Sequence, residues 1–361
     1  MPQDERAALA NRVRAQPRGL TQTTVQYNDA VRLIVLLAAV SFAVCARAQT
    51  SFEAAIRAGE KMPRLHSLLV SEHGQLLVEH YFHGTRRESY ANVKSASKSV
   101  ISALVGIAID RKLLPGVDAR ITPYFAELAA PGADSHKKDI TIEDLLTMRS
   151  GLVDTNRGYG AWVQSPNWIA YLLKRPMQSA PGDDMDYNTG NTHLLSAILT
   201  KVSGRDTWNF LQSTLGAALN TRIPQWPRDP QGIYFGGNDM LLTPRQMLAF
   251  GEMYLHHGRV GERQVVPEGW VEASWTPRTR SHRSGQQYGY GWWIADMAGH
   301  TTDFAWGFGG QYIFVVPDLD LVAVATSSVA LGNDRREYRE SLFEMIETQV
   351  IGALKPEVSA N

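Results

Sequence analysis

The chain has 361 residues, of which 44% are hydrophobic and 30 are glycine, so it can build one large domain or two interleaved domains and is too apolar to be disordered. Lys and Arg together number 36, as do Asp and Glu, which gives a formal net charge of +0. A chain without net charge has no long-range field that would gather a polyanion. The composition therefore argues against nucleic acid as a partner.

The N-terminal residues predict an export signal. Arg32 precedes an apolar run over residues 33–44, and Ala46-Arg47-Ala48 has the small residues of a signal-peptidase site. The run holds about 12 residues, whereas a membrane-spanning helix needs about 20, so we expect no stable membrane span after cleavage. We predict that residues 1–48 are an N-terminal extension and signal peptide, and that the mature chain begins near Gln49 and is periplasmic or secreted.

Thiol and metal chemistry find little support in the sequence. The only cysteine, Cys45, lies in the predicted signal, so the mature chain would have no thiol nucleophile, disulfide or cysteine-based zinc site. His80 and His83 would point to opposite faces of a strand, and His256 and His257 are adjacent, so neither pair is placed to share a metal. No H-E-x-x-H motif occurs. We expect neither a metal nor a cofactor.

The first elements after the signal are a hairpin and a buried helix. Two β-type runs, residues 67–70 and 75–82, flank Glu72-His73-Gly74 and predict a hairpin. A helix is expected to begin near Ser95 and to be apolar on most of its surface, which indicates burial. Its apolar residues are Val100, Ile101, Leu104, Val105, Ile107 and Ala108.

The middle of the chain is mainly helical, and strands return near its end. Together these elements predict an α+β fold in which both chain ends build a sheet region, interrupted by a helical insertion. The regions expected are 49–110 with 285–361 for the sheet and 111–284 for the helices. Predicted helices span 142–148, 168–173, 192–202 with Gly204 as C-cap, 244–256 and 335–351, and predicted strands span 288–294, 301–308, 311–316 and 321–326.

Ser95 and Lys98 are the first candidate catalytic residues. A serine hydroxyl is a weak nucleophile until a base takes its proton, and a lysine can do so only where its surroundings leave it neutral. Three residues apart at a helix start, both side chains project onto one face, and burial would desolvate the lysine. Ser135 and Lys138 have the same spacing but lie in a polar loop, which indicates a solvated turn. The alternative for Ser95 is a helix N-cap.

Two further segments carry candidate site residues. Tyr187 lies between Pro181-Gly182 and an amphipathic helix; near a lysine ammonium its pKa would fall, and it could relay a proton from Ser95 to the leaving group. The alternative is a tyrosine that packs its ring and hydrogen-bonds locally.

The second of these segments is rich in glycine. It consists of Ala305-Trp306-Gly307-Phe308-Gly309-Gly310-Gln311. Its glycines Gly307 and Gly309 would let a substrate lie against the strand edge. The backbone N–H groups of Ser95 and Phe308 are the candidate oxyanion hole, with Trp306 beside it. The alternative here is a bend in a sheet that the glycines permit.

In order and spacing, these motifs resemble the class C β-lactamase and penicillin-binding-protein superfamily of serine hydrolases, especially its branch of esterases and 6-aminohexanoate-dimer hydrolases, over roughly residues 67–350. The resemblance implies an antiparallel sheet flanked by helices beside an all-helical region, with the site between them. It also implies that Ser95 is acylated, that Lys98 activates it and that Tyr187 is the general base. The motifs are Ser95-Ala96-Ser97-Lys98, Leu145-Leu146-Thr147-Met148-Arg149-Ser150-Gly151-Leu152, Pro181-Gly182 ahead of Tyr187, Tyr288-Gly289-Tyr290-Gly291-Trp292-Trp293, and Gly309-Gly310-Gln311-Tyr312 leading to Val316-Pro317.

The chain departs from the family pattern at two points. Thr189 stands where the family has an asparagine, although Asn188 or Asn191 could supply an amide. Ala305-Trp306-Gly307 stands where lactamases have Lys-Thr-Gly.

The missing lysine bears on the substrate. That lysine would pair with a carboxylate of a β-lactam or a peptidoglycan stem, and a buried unpaired carboxylate costs several kcal/mol. Trp306, with Trp292 and Trp293 nearby in the predicted sheet, favours a less charged acyl group.

The sequence therefore predicts an exported serine hydrolase that acts through an acyl-enzyme on a small-molecule ester or amide. A β-lactamase or D,D-peptidase is the alternative. A Ser-His-Asp hydrolase of the α/β type is excluded because no G-x-S-x-G motif occurs. A non-catalytic binding protein on the same fold would have no reason to keep Ser95, Lys98 and Tyr187 at workable positions.

Overall fold

An antiparallel sheet of eight strands lies at the centre of the structure, a computed structural model that describes residues 52–129 and 134–354. The strands are β1 (Leu65–Glu72), β2 (Gln75–Tyr81), β3 (Ala91–Asn92), β4 (Leu241–Leu242), β5 (Arg259–Val260), β6 (Arg263–Gln264), β7 (Thr279–Arg280), β8 (Gln287–Tyr288), β9 (Trp293–Met297), β10 (His300–Gly307), β11 (Gln311–Val316) and β12 (Leu321–Ser327). Across the sheet the order is β2-β1-β12-β11-β10-β9-β8-β7, while β3 pairs with β4 and β5 with β6. Strands from the two ends of the described chain thus build one sheet.

Helices cover both faces of this sheet. They are α1 (52–60), α2 (Ser97–Asp110), α3 (Ile142–Leu146), α4 (Tyr159–Val163), α5 (Trp168–Lys174), α6 (Thr189–Ser203), α7 (Thr207–Leu211), α8 (Pro244–Leu255), α9 (Glu268–Trp275) and α10 (Arg335–Met345). Side chains alternate along β12, so Val322 and Val324 pack with α2 and α8, whereas Ala323 and Ala325 pack with α1 and α10. The predicted α+β fold is confirmed, and the region boundaries at residues 110 and 284 stay a prediction.

The predicted hairpin and most helices are confirmed, but the strand expected at 288–294 is wrong. It is split into β8 and β9 by the loop of residues 289–292. Gly291 has φ +80°, and a Cβ there would lie 3.0 Å from the Lys98 carbonyl oxygen. Ser99 Oγ donates a hydrogen bond to the Gly291 carbonyl at 2.7 Å. The loop therefore bends to contact α2, and a local sequence pattern carries no sign of that contact.

The segment that presents Ser95 is a tight turn followed by a buried helix. Residues Lys94–Ala96 form a 3₁₀ turn, and α2 continues from Ser97. A helix that begins near Ser95 is confirmed. Within these described residues neither element has a side-chain cap, so the alternative of Ser95 as an N-cap is wrong. The residues from Ser97 to Ala108 are buried, which places the first turns of α2 out of contact with water.

No helix within the described ranges has the length and apolar character that a bilayer span requires. The predicted signal at residues 1–48 lies outside the described residues.

Asp303 is an ionisable group inside the sheet. It lies on β10, is 3% exposed, and its Oδ1 has no hydrogen-bond partner among the residues described. Burial raises its pKa to about 8, because the carboxylate would lose its hydration. The carboxyl group is therefore mainly protonated at neutral pH.

We predict that Asp303→Asn removes part of the loss of stability that accompanies a rise in pH. Because the folded-state pKa of this carboxyl group lies above its unfolded value of about 4, the stability contributed by protonated Asp303 is fully present below about pH 4 and is lost as pH rises to about 8. Relative to the wild type, the variant should therefore gain about 2–4 kcal/mol between about pH 5 and about pH 8, and the difference should stay level above about pH 9. Urea unfolding at these pH values measures this. Asp296→Asn, at an exposed position of β9, is the control; an identical loss of stability in wild type and Asp303→Asn over this pH range would refute the prediction.

Candidate active site

Ser95 and Lys98 form a hydrogen-bonded pair at the start of α2. Lys98 Nζ lies 3.0 Å from Ser95 Oγ. The same nitrogen donates to the Gly237 carbonyl oxygen at 2.7 Å and to Thr189 Oγ1 at 3.3 Å. The Lys98 side chain is 1% exposed, so these groups replace its hydration shell. The predicted serine and lysine are thus within reach of proton transfer.

Burial sets the charge of Lys98. Loss of hydration lowers the pKa of its amine to about 7, and the nearby Asp154 carboxylate opposes this shift without reversing it. Asp154 is itself buried, which raises the pKa of its carboxyl group. A large share of Lys98 is therefore a neutral amine near neutral pH, with a lone pair that can accept a proton.

Tyr187 reaches the same pair from the N-terminus of α6. Its ring centroid lies 5.0 Å from Lys98 Nζ, and its hydroxyl is close enough to Ser95 for that residue to affect its pKa. The Trp293 ring stacks on Tyr187 at 5.4 Å. Burial raises the pKa of Tyr187 well above its usual value, although Ser95 lowers it. The expected fall of this pKa beside a lysine ammonium is wrong, because loss of hydration outweighs any neighbouring positive charge.

Thr189 and an unpredicted residue, Asn156, complete this side of the site. Thr189 Oγ1 donates to Asn156 Oδ1 at 2.9 Å, and Asn156 Nδ2 donates to the Tyr187 carbonyl at 2.9 Å. Asn156 is exposed and lies in the loop before α4. No local pattern in the sequence marks it, since its link to Tyr187 spans 31 residues.

The side-chain oxygens of the two asparagines considered as amide donors accept hydrogen bonds from other parts of the chain. Asn188 is the N-cap of α6: its Oδ1 accepts from Gly190 N at 2.9 Å, and α6 therefore begins at Thr189, before the expected residue 192. Asn191 is fully buried, and its Oδ1 accepts from Ser150 Oγ at 2.8 Å. Neither amide is hydrogen-bonded to Lys98, whose described partners are Ser95, Thr189 and Gly237.

The Gly237 carbonyl is a second feature that sequence reasoning missed. A Cβ at Gly237 would lie 2.1 Å from Thr192 Oγ1 and 3.1 Å from Lys98 Nζ, so only glycine fits here without displacement. The signal in the sequence is the pair Gly236-Gly237 itself, which marks a close backbone approach.

The end of β10 lies beside the turn that carries Ser95. A Cβ at Gly307 would lie 2.0 Å from the Val93 carbonyl oxygen. Phe308 follows Gly307 and is 39% exposed, and Gly309, with φ +88°, continues the turn into β11. The strand edge is thus placed next to Ser95, and the oxyanion hole of the Ser95 and Phe308 amides stays a prediction.

The tryptophans near this edge have different positions. Trp306 packs against Trp293 at 5.4 Å and is partly exposed. Trp292 is fully buried in the core, with Phe250 and Tyr254 around it. The expectation that Trp292 contributes to a substrate surface is therefore wrong.

The cleft next to Phe308 is basic. Four arginines line it together with Trp306 and Phe308: Arg64, Arg335, Arg336 and Arg339. The Arg335 guanidinium lies 5.0 Å from the centre of the Phe308 ring, and that of Arg339 lies 5.7 Å from the Trp306 ring. Within the described ranges no group of three or more His, Cys, Asp or Glu side chains is placed to hold a metal ion.

Ser135 and Lys138, which have the same spacing as Ser95 and Lys98, do not lie in buried surroundings. Ser135 and Lys138 are exposed on a short 3₁₀ turn, while the neighbouring Lys137 donates to the Leu173 and Arg175 carbonyls. The interpretation of this pair as a solvated turn is confirmed.

Comparison with known proteins agrees with the fold described above. A 6-aminohexanoate-dimer hydrolase of Paenarthrobacter ureafaciens is 24% identical over 285 residues, which cover 73% of this chain and 72% of that protein. Among solved structures, EstCE1, a hydrolase with promiscuous acyltransferase activity, has a TM-score of 0.67 and 18% identity, over 84% of this chain and 98% of that one. The octameric penicillin-binding protein homologue from Pyrococcus abyssi has a TM-score of 0.65 and 17% identity, over 86% and 78% of the two chains. The family model named Beta-lactamase matches residues 52–342, and the chain therefore belongs to the Beta-lactamase family of serine hydrolases.

Proposed function

We propose that this serine hydrolase cleaves an ester or a linear amide through an acyl-enzyme on Ser95, with Lys98 as the base. The observation that carries the proposal is the buried amine of Lys98, 3.0 Å from Ser95 Oγ and with its pKa lowered to about 7. A base with a pKa near the working pH is the most effective in proton transfer. Neutral Lys98 takes the Ser95 hydroxyl proton as Oγ attacks the acyl carbon.

Tyr187 is assigned the proton relay, in place of the general-base role that the family resemblance implies. Burial keeps it a neutral phenol, which makes it a poor base and a competent donor. As the tetrahedral intermediate collapses, Tyr187 gives its proton to the leaving alkoxide or amine and regains one from the Lys98 ammonium. Water then attacks the acyl-enzyme, and the same groups return Ser95 to its starting state. The N–H groups of Ser95 and Phe308 hold the developing oxyanion.

Two observations support an ester or a linear amide. Ala305, where lactamases have a lysine, is fully buried and brings no charge. One relative is named for hydrolysis of the 6-aminohexanoate dimer.

The basic cleft favours a second candidate. Arg335 and Arg339 could hold the carboxylate of a β-lactam or a D,D-peptidase substrate in place of the missing lysine, whereas Arg64 and Arg336 pair with Asp334 and Glu340. A β-lactamase or D,D-peptidase activity therefore remains the second candidate.

We predict that Ser95→Ala abolishes turnover of p-nitrophenyl acetate and butyrate, with kcat/KM at least about 1000-fold below that of the wild-type mature chain. Ser135→Ala is the matched control, because it removes the serine of the exposed pair Ser135 and Lys138 and should leave turnover unchanged. Equal rates in wild type and Ser95→Ala would refute the acyl-enzyme. In a parallel assay with nitrocefin and a linear amide dimer, rapid nitrocefin hydrolysis would favour the second candidate.

We infer further that the protein is exported, since Arg32, the apolar run of residues 33–44 and Ala46-Arg47-Ala48 have the order of a signal peptide. The exported protein should start near Gln49. N-terminal sequencing of the periplasmic or secreted fraction measures this, and a chain found only in the cytoplasm with residues 1–48 intact would contradict it.

A further inference from the structure

A buried pair of polar side chains, His193 on α6 and Asp229, lies outside the groups that the proposed reaction uses. His193 Nε2 is 3.0 Å from Asp229 Oδ2, and the two side chains are 1% and 0% exposed. Trp162, Trp168 and Phe235 surround the imidazole. Removing two such groups from water is unfavourable unless hydrogen bonds between well-placed atoms replace their hydration. The contacts of Asp229 show which backbone turn this pair holds in place.

Asp229 closes a tight turn with its other oxygen. Asp229 Oδ1 accepts from Gln231 N at 2.9 Å and from Ile233 N at 2.8 Å, and Asp229 N donates to the Ile233 carbonyl at 2.8 Å. One carboxylate therefore fixes the shape of the turn and, through His193, its position on α6.

The chain runs from this turn along α6 to the site. Ser196 Oγ donates to the Tyr234 carbonyl at 2.7 Å. A Cβ at Gly236 would lie 2.0 Å from the carbonyl oxygen of Thr192, the residue before His193. The backbone of Gly236 and Gly237 thus lies directly on the helix turn that carries the imidazole.

The far end of the segment is tied to the residue before Ser95. Asp239 Oδ1 accepts from Lys94 Nζ at 2.6 Å and from Asn92 Nδ2 at 2.8 Å. Lys94 and Asp239 have φ of +50° and +60°, a conformation that residues other than glycine adopt only when their surroundings hold them there. Residues 229–239, here called the anchored segment, are therefore fixed at both ends, with Gly237 between.

We propose that His193 and Asp229 are positioning residues for the catalytic amine: they hold the anchored segment so that Gly237 orients Lys98. A neutral amine has two N–H groups and one lone pair. The Gly237 carbonyl takes one N–H and Thr189 Oγ1 takes the other, which leaves the lone pair for the Ser95 proton. The inference rests on the proposed function and adds to it the residues that orient the base.

Two variants that break the hydrogen bond between His193 and Asp229 test this. Asp229→Asn keeps the volume and the Oδ1 acceptor, and His193→Phe fills the aromatic surroundings. In each, kcat for p-nitrophenyl butyrate should fall at least about tenfold with KM within about twofold, because the base is misaligned and the substrate surface is untouched. The Lys98 titration, followed by ¹³Cε-lysine NMR and assigned with Lys98→Ala, should move to lower pH by about half a unit or more. An ammonium that loses its carbonyl acceptor is less stable, while Asp154 and Tyr187, which also face it, are unchanged.

Thr326→Val is the matched control for general destabilisation. Thr326 Oγ1 and Ser67 Oγ form another buried pair, 2.6 Å apart between β1 and β12. This substitution should lower the melting temperature and leave kcat, KM and the midpoint of the Lys98 titration unchanged. A folded Asp229→Asn or His193→Phe protein with wild-type kcat and Lys98 midpoint would overturn the inference. The NMR midpoint needs no turnover, so absence of ester hydrolysis would refute the proposed function and leave the positioning role decided by the titration.

Discussion

The burial of one amine, Lys98 Nζ, is the constraint on which the site depends. To keep water away from it, three segments approach the first turn of α2 more closely than a side chain would allow. Gly237 lies against Lys98 Nζ, Gly291 against the Lys98 carbonyl and Gly307 against the Val93 carbonyl. These glycines come from the anchored segment, the loop between β8 and β9, and the end of β10. The helical part, the sheet and the turn with Ser95 are thus joined at one place.

The same burial gives Lys98 and Tyr187 opposite properties. Loss of hydration disfavours the charged form of each group, so the amine loses a proton readily and the phenol keeps its own. Lysine becomes a usable base near neutral pH and tyrosine a neutral donor. The two roles need no carboxylate in direct contact; Asp154 acts on Lys98 only as a nearby charge.

Local signals in the sequence predict local structure well. Gly204, expected as a C-cap, ends α6 with φ +64°, and the helix expected at 244–256 begins at Pro244, where Thr243 forms a capping box with Gln246. The strand at 311–316 agrees with β11 because its apolar run is bounded by glycine and proline. The interrupted strand at 288–294 could not be predicted, since its bend depends on a contact with α2.

The residues of the site also differ in how well the sequence reveals them. Ser95, Lys98 and Tyr187 could be found because their residue types carry the chemistry. Gly237 contributes only a carbonyl, and the pair Gly236-Gly237 indicates a close backbone approach without showing what it contacts. Asn156 joins the site from a distant loop and leaves no pattern. The pKa of Tyr187 was expected in the wrong direction because the balance between a neighbouring charge and desolvation depends on burial, which tertiary packing determines.

The claim that neutral Lys98 activates Ser95 is tested most directly by the pH dependence of Ser95 labelling with a fluorophosphonate, located by peptide mass spectrometry. The labelling rate should rise with pH through about 7 and then level off, because it follows the fraction of Lys98 that is a neutral amine. In Lys98→Ala, with its fold intact by circular dichroism, the rate should fall at least about 100-fold. A wild-type labelling rate in Lys98→Ala, or a label on a serine other than Ser95, would contradict it.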